Sequence, residues 1–168
     1  MRWKGIPLAA WDCLTIWDGS GSRRPESRLC ACRVVVSDAH GLMSALQLYA
    51  SEIEDLFGIG CRFHCETAVL IHDVAAATHL YHIAQKAVNN AIKHGHANNI
   101  LIRLFSGDRE GTLIIKDDGV GIERPRAPHA GVGLHNMNYR AGMIGGQLDV
   151  HRGQPKGTTV VCRFPVSV

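Results

Sequence analysis

The chain holds 168 residues, 46% of them hydrophobic and 20% charged, a balance that builds one globular core and excludes a disordered, collagen-like or coiled-coil chain. A formal charge of +3, from 18 basic against 15 acidic side chains, is too small an excess to mark a surface for nucleic acid. The longest apolar run, Ile6 to Ile16, is broken by Asp12 and falls short of the ~18 residues a membrane-spanning helix needs.

In chain order, residues 1–36 stand apart as an unassigned tail or linker. Residues 18–28 are Gly, Ser, Pro and Arg with nothing to bury. Trp3, Trp11 and Trp17 precede them in no clear period, either a docking piece or simple packing. Ser37 or Asp38 is a good N-cap for a helix in which Leu42, Leu46, Tyr49, Ala50, Ile53 and Leu56 recur at helical spacing until Gly58. Two short strands are expected at Cys61 to Cys65 and Val69 to Ile71. A long helix then runs from Thr78 as N-cap to Gly95, burying Leu80, Ile83, Ala84, Ala87, Val88, Ala91 and Ile92. Strands at Ile100 to Phe105 and Thr112 to Lys116 flank a turn. A glycine-rich stretch follows, then a helix over Leu134 to Ile144, and a hairpin pairing Gln147 to His151 with Thr158 to Phe164. This order predicts an α+β chain, a two-layer sandwich with a mixed sheet and helices on one face.

Three features carry chemistry. Lys86, Asn90 and His94 fall at i, i+4 and i+8, with Lys93 nearby, in one polar stripe of the long helix. An amide oxygen holds a hard cation and an ammonium holds a phosphate, although a solvated helix face has the same pattern. Asp117-Asp118-Gly119-Val120-Gly121-Ile122 follows a strand, placing a carboxylate beside glycines that let a flat ligand approach the backbone. Gly131-Val132-Gly133-Leu134 opens a helix whose first amides suit a phosphate chain. Each motif is weak alone.

Their order is specific. The stretches LYHIAQKAVNNAIKHGHA, DDGVGI, GVGLHNMNYRAGMIGGQLDV and GTTVVCRFP resemble the ATP-binding domain shared by gyrase, heat-shock chaperones, MutL proteins and histidine kinases. They are most similar to the catalytic domain of bacterial sensor histidine kinases with a short ATP lid, over roughly residues 38–166. The resemblance implies that residues 37–58 end a dimerisation region and that 59–168 form the catalytic domain. It implies ATP and Mg²⁺ as cofactors, with Asn90 on the metal, Lys93 on the phosphates and His94 against adenine or ribose. Asp117 would accept the adenine amine, Gly119 and Gly121 would admit the base, and Thr158 would sit beneath it. Gly131, Gly133 and Leu134 would line the phosphate side, with Glu123 to Ala130 as a lid stiffened by Pro125 and Pro128. The implied activity is protein-histidine kinase, acting on the histidine of a dimerisation domain and, downstream, on a response regulator, in the cytoplasm and without direct nucleic-acid contact.

Two departures matter. The family usually has Glu where this chain has Lys86, and an ammonium does not polarise water as a carboxylate does. That argues against a gyrase-type or MutL-type ATPase and leaves the catalytic residue unknown. The His-Asp motif of the phospho-acceptor helix is not found: Asp38-Ala39-His40 has the wrong order, and His72-Asp73 falls in a loop. The phosphorylated histidine is therefore expected outside this chain. The alternatives are a catalytically impaired nucleotide sensor or interaction module on the same fold, and a serine/threonine kinase of the anti-sigma type. Metal-site readings of His79 with His82, His94 with His96, or Cys61, His64 and Cys65 lack zinc-site spacing. The cysteines are expected as reduced, mostly buried thiols.

Overall fold

Alternating apolar side chains write the sheet, and apolar stripes at helical spacing cover one of its faces. The computed structural model describes residues 40–66, 69–107, 109–122 and 132–166. The tail at 1–36, the cap at Ser37 or Asp38, the lid at 123–130 and Gly131 lie outside the described residues. The elements are α1 (Gly41–Phe57), β1 (Gly60–Cys65), α2 (Val74–Asn90) running into a π-helical turn (Ala91–Gly95), β2 (Asn99–Ser106), β3 (Glu110–Asp117), α3 (Val132–Met143), β4 (Gln147–Arg152) and β5 (Thr158–Pro165). The five strands are ordered β1-β2-β3-β5-β4. The β1–β2 pair is parallel and the remaining pairs are antiparallel, so the sheet is mixed, as expected.

Register places like with like. Phe63, Ile102, Ile115, Val160 and Val150 form one row across all five strands, and Cys65, Leu104, Leu113, Cys162 and Leu148 form the next. Ile102, Leu104, Leu113 and Cys162 are at most 1% exposed, because α1, α2 and α3 pack over these rows. The opposite face carries ion pairs: Arg103 to Glu66 at 2.6 Å and Arg163 to Asp149 at 2.7 Å. Such exposed pairs steer register more than they add stability.

α1 buries Leu42, Leu46, Tyr49, Ala50 and Ile53, and ends where Gly58 turns left-handed and donates its N–H to the Glu54 carbonyl at 2.9 Å. Its Tyr49 ring meets Tyr81 of α2 edge to face at 5.9 Å, and its buried stripe joins the same core as β2 and β3. The expected division at residue 58 therefore does not coincide with a break in packing. α2 starts earlier than expected. Asp73 is its N-cap, accepting from the Ala75 amide at 2.8 Å, and Thr78 instead donates to the Val74 carbonyl from inside the helix. Three consecutive alanines, Ala75 to Ala77, are strong helix formers that carry no periodic signal. Residues 69–71 are not a strand, since β1 already forms that edge; Val69 and Ile71 are still buried in the core.

Cys61, Cys65 and Cys162 are free thiols, the first and last buried. Burial pushes Cys61 up to about 12 and Cys162 up to about 11, which keeps them unreactive. Among the described residues no helix is long and apolar enough to cross a membrane. Truncating the centre of the first row, Ile102→Ala, should cost about 2–5 kcal/mol through lost burial and the cavity left behind. Urea unfolding followed by circular dichroism measures this, and an unchanged midpoint would contradict the placement of that row.

Candidate functional site

Strand β3 ends at Asp117, Asp118 follows it directly, and the two side chains leave opposite faces of the sheet. Asp117 turns inward and is 7% exposed. Its Oδ1 accepts from the amides of Gly119 at 2.9 Å and Thr158 at 3.1 Å. Asp118 turns outward: its Oδ2 accepts from Asn99 Nδ2 at 3.0 Å, and its Oδ1 accepts from the Asn99 and Asn98 amides at 2.9 and 2.8 Å. The Asn99 side chain and then these amides hold the Asp118 carboxyl down at about 2. The turn after β3 is thus tied to β5 by one acid and to the start of β2 by the other. A third tie runs from the Val120 amide to the Gly95 carbonyl at 2.8 Å. The approach is so close that a Cβ at Gly119 would overlap that carbonyl. Gly157, at φ +89°, lies just as tightly on the backbone carbonyl of Asp117.

α2 supplies the second wall. The sequence suggests one uniform helix to Gly95, but the last five residues form a π turn, in which the Ala91 carbonyl receives the amides of both His96 and Ala97. A wider turn advances each residue by less than the about 100° of an α-helix. His94 therefore stays in line with Asn90 and Lys86, while Lys93 swings off the stripe. Burial, then the Lys86 charge, pushes the Lys93 pKa down.

The third wall is the first turn of α3. Together these walls enclose a cleft of about 380 Å³. Lys86, Asn90, His94, Asp117, Gly121, Gly133, Leu134 and Thr158 line it, whereas Lys93 and Gly119 do not. Gly119 lies beneath it, against Gly95. The sequence reading missed the apolar floor: Ala87, Ala91, Ile115, Ile122, Met137, Val150 and Val160. Strand alternation held that signal, since Ile115 lies two residues before Asp117, and Val160 two after Thr158, on the same face. Gly95 stands beside Asp117, and Lys86 lies nine residues back along the helix, roughly 13 Å at the helical rise. The cleft is therefore long, acidic at one end and cationic at the other, over an apolar floor. That shape suits a flat ring with a polyanionic tail.

A second hollow, of about 490 Å³, opens on the other face and is lined by Arg62, Lys116, Asp118, Gln154 and Lys156 among others. It gathers only one of the predicted site residues, Asp117. Among the described residues no group of three or more His, Cys, Asp or Glu side chains is placed to hold a metal ion.

A family model described as histidine kinase-, DNA gyrase B-, and HSP90-like ATPase matches residues 75–168. The nitrate/nitrite sensor protein NarQ of Escherichia coli is 32% identical over 124 residues, covering 73% of this chain and 22% of that protein. The oxygen sensor histidine kinase NreB of Staphylococcus carnosus is 28% identical over 131 residues, 77% of this chain and 38% of that one. The chain thus spans well under half the length of these relatives. The ATP-binding domain of PrrB from Mycobacterium tuberculosis superimposes with a TM-score of 0.63 at 20% identity, over 78% of this chain and 96% of that domain. The histidine kinase domain of the Erythrobacter litoralis EL346 blue-light activated kinase gives 0.59 at 24%, over 74% and 61%. At these identities the two structures speak for the fold alone.

The Asp118 clamp sets a pH dependence. Its carboxyl sits near 2 against an ordinary 3.8, so the clamp contributes stability above pH 3.8 and loses it as the pH falls through this window toward 2. In Asp118→Asn the acid limb of a thermal-melting profile should be flatter than in wild type. Identical slopes would remove the clamp from the account.

Proposed function

Because the chain belongs to the histidine kinase-, DNA gyrase B- and HSP90-like ATPase family, we propose that its cleft binds Mg²⁺-ATP and that the chain is the catalytic domain of a cytoplasmic sensor histidine kinase. Adenine lies on the apolar floor with its exocyclic amine donated to Asp117, above Thr158 and beside Gly121. The phosphates extend toward Asn90, Gly133, Leu134 and the start of α3. His94 lies beside the base or ribose, and Lys93, which does not line the cleft, takes no part in the phosphate contacts. What carries this reading is the cleft itself: a buried carboxylate oriented by two backbone amides at the far end from an ammonium and a helix start.

The residues present fit magnesium as an ion brought by the nucleotide. Asn90 offers one amide oxygen, and the cleft's carboxylate, Asp117, is engaged with backbone amides at the other end. When bound, the ion would neutralise phosphate charge, and Mg²⁺ commonly takes most of its ligands from phosphate and water. The chain's own part in phosphoryl transfer is positioning and charge. Base and ribose are fixed by Asp117 and the floor, and the terminal phosphoryl is presented to a histidine of a dimerisation domain outside this chain. There a P–N bond forms as the bond to the departing ADP oxygen breaks. A response regulator is the downstream acceptor. Lys86 favours a second reading, a nucleotide-binding sensor or interaction module with little turnover, since no carboxylate stands one turn before Asn90.

Asp117→Asn preserves an oxygen for the two backbone amides but presents an NH₂ where the ligand needs an acceptor. ATP affinity by titration calorimetry should fall by about 1–3 kcal/mol, with the fold intact; equal affinities would overturn the adenine contact. Mixing the chain with γ-labelled ATP and a fragment carrying a His-Asp motif separates the two readings. Acid-labile label on the fragment supports the kinase, whereas ATP binding without transfer supports the sensor. Acid-stable label would instead point to serine or threonine.

A further inference from the structure

We infer that Lys86 is a built-in phosphate cation that relieves this cleft of much of its dependence on divalent metal; the inference rests on the reading of the cleft as an ATP site. Lys86 is half-buried and lines the cleft on the Asn90 side. A Cβ built on Gly133 would come 2.7 Å from Lys86 Cε, 3.5 Å from its Nζ and 3.7 Å from Asn90 Nδ2. The ammonium and the Asn90 amide therefore converge on the first turn of α3. That turn holds amides with no partner inside their own helix and the positive end of the helix dipole.

Among the described residues lining the cleft the only carboxylate is Asp117, at the other end. No carboxylate of the described residues forms an ion pair with Lys86. Its charge is felt locally, since it contributes to the depressed pKa of Lys93. A compact ammonium with three donors is a good point-charge partner for a phosphate oxygen. A carboxylate in this position would repel the phosphates and would need an intervening divalent ion. Lys86 thus does two things at once. It supplies positive charge where the polyphosphate must lie, and it takes away a group through which a metal could be held. The nucleotide tail can then be bound by lysine, amide and helix start together, with metal adding little.

The test is ATP binding to the full chain by titration calorimetry, once in excess Mg²⁺ and once in EDTA, for wild type, Lys86→Gln, Lys86→Arg and Lys86→Glu. Wild type should keep its affinity to within about threefold on removing metal, and Lys86→Arg should follow it, as both retain the charge. Lys86→Gln should bind about tenfold more weakly in EDTA and recover most of that in Mg²⁺. Lys86→Glu should bind only with metal. Circular dichroism and melting temperature verify that each variant is folded. If Lys86→Gln matches wild type in EDTA, or wild type loses more than about tenfold without metal, the inference falls while the ATP site stands. If wild type binds ATP in neither buffer, the site falls with it.

Discussion

One carboxylate oxygen organises this molecule's cleft. Asp117 Oδ1 receives the amides of Gly119 and Thr158, one from the turn that follows β3 and one from the neighbouring strand β5. A buried acid is costly unless hydrogen-bonded, and two charge-assisted bonds of about 1.5–3 kcal/mol each both offset that cost and fix where the group points. The second effect shapes the cleft, because a side chain locked by backbone donors keeps one orientation.

The other walls follow from the same point. For the Gly119 amide to reach Asp117, the turn must fold back onto the end of α2, and it does so with the Val120 amide on the Gly95 carbonyl. That contact coincides with the π turn, and the π turn sets which polar residues of α2 face the cleft. α3 closes the far side with Gly133 against the side chains of Lys86 and Asn90. Sheet register, helix ending and cleft chemistry are thus one coupled arrangement rather than three separate ones.

Much of this was legible in the sequence. The stripes of α1 and α2 and the alternation in β2, β3 and β5 are strong because each element buries one face. The ordered motifs located most of the cleft before any geometry was known. What stayed hidden was whatever depends on partners distant in the chain. The early start of α2 is set by Asp73 ahead of three alanines, which have no preferred face. Val69 and Ile71 are apolar enough for a strand but have no free edge to pair with. Lys93 lies on the same side as Asn90 in an ideal helix, and the π turn carries it away. α1 reads as the end of a preceding region, and the packing of its Tyr49 and Leu46 in the core shared with the sheet carries no sequence signal.

Asp117, the last residue of β3, and Asp118, just beyond it, take opposite faces: one lines the cleft, the other clamps the turn to β2. Since neighbouring side chains of a strand point to opposite sides, inserting or deleting a single residue there would swap their assignments, sending the clamp into the cleft and the cleft carboxylate to the other face. This short stretch is therefore constrained in length more severely than in chemistry. A designer regrafting the site onto another scaffold would have to transplant the spacing before the side chains.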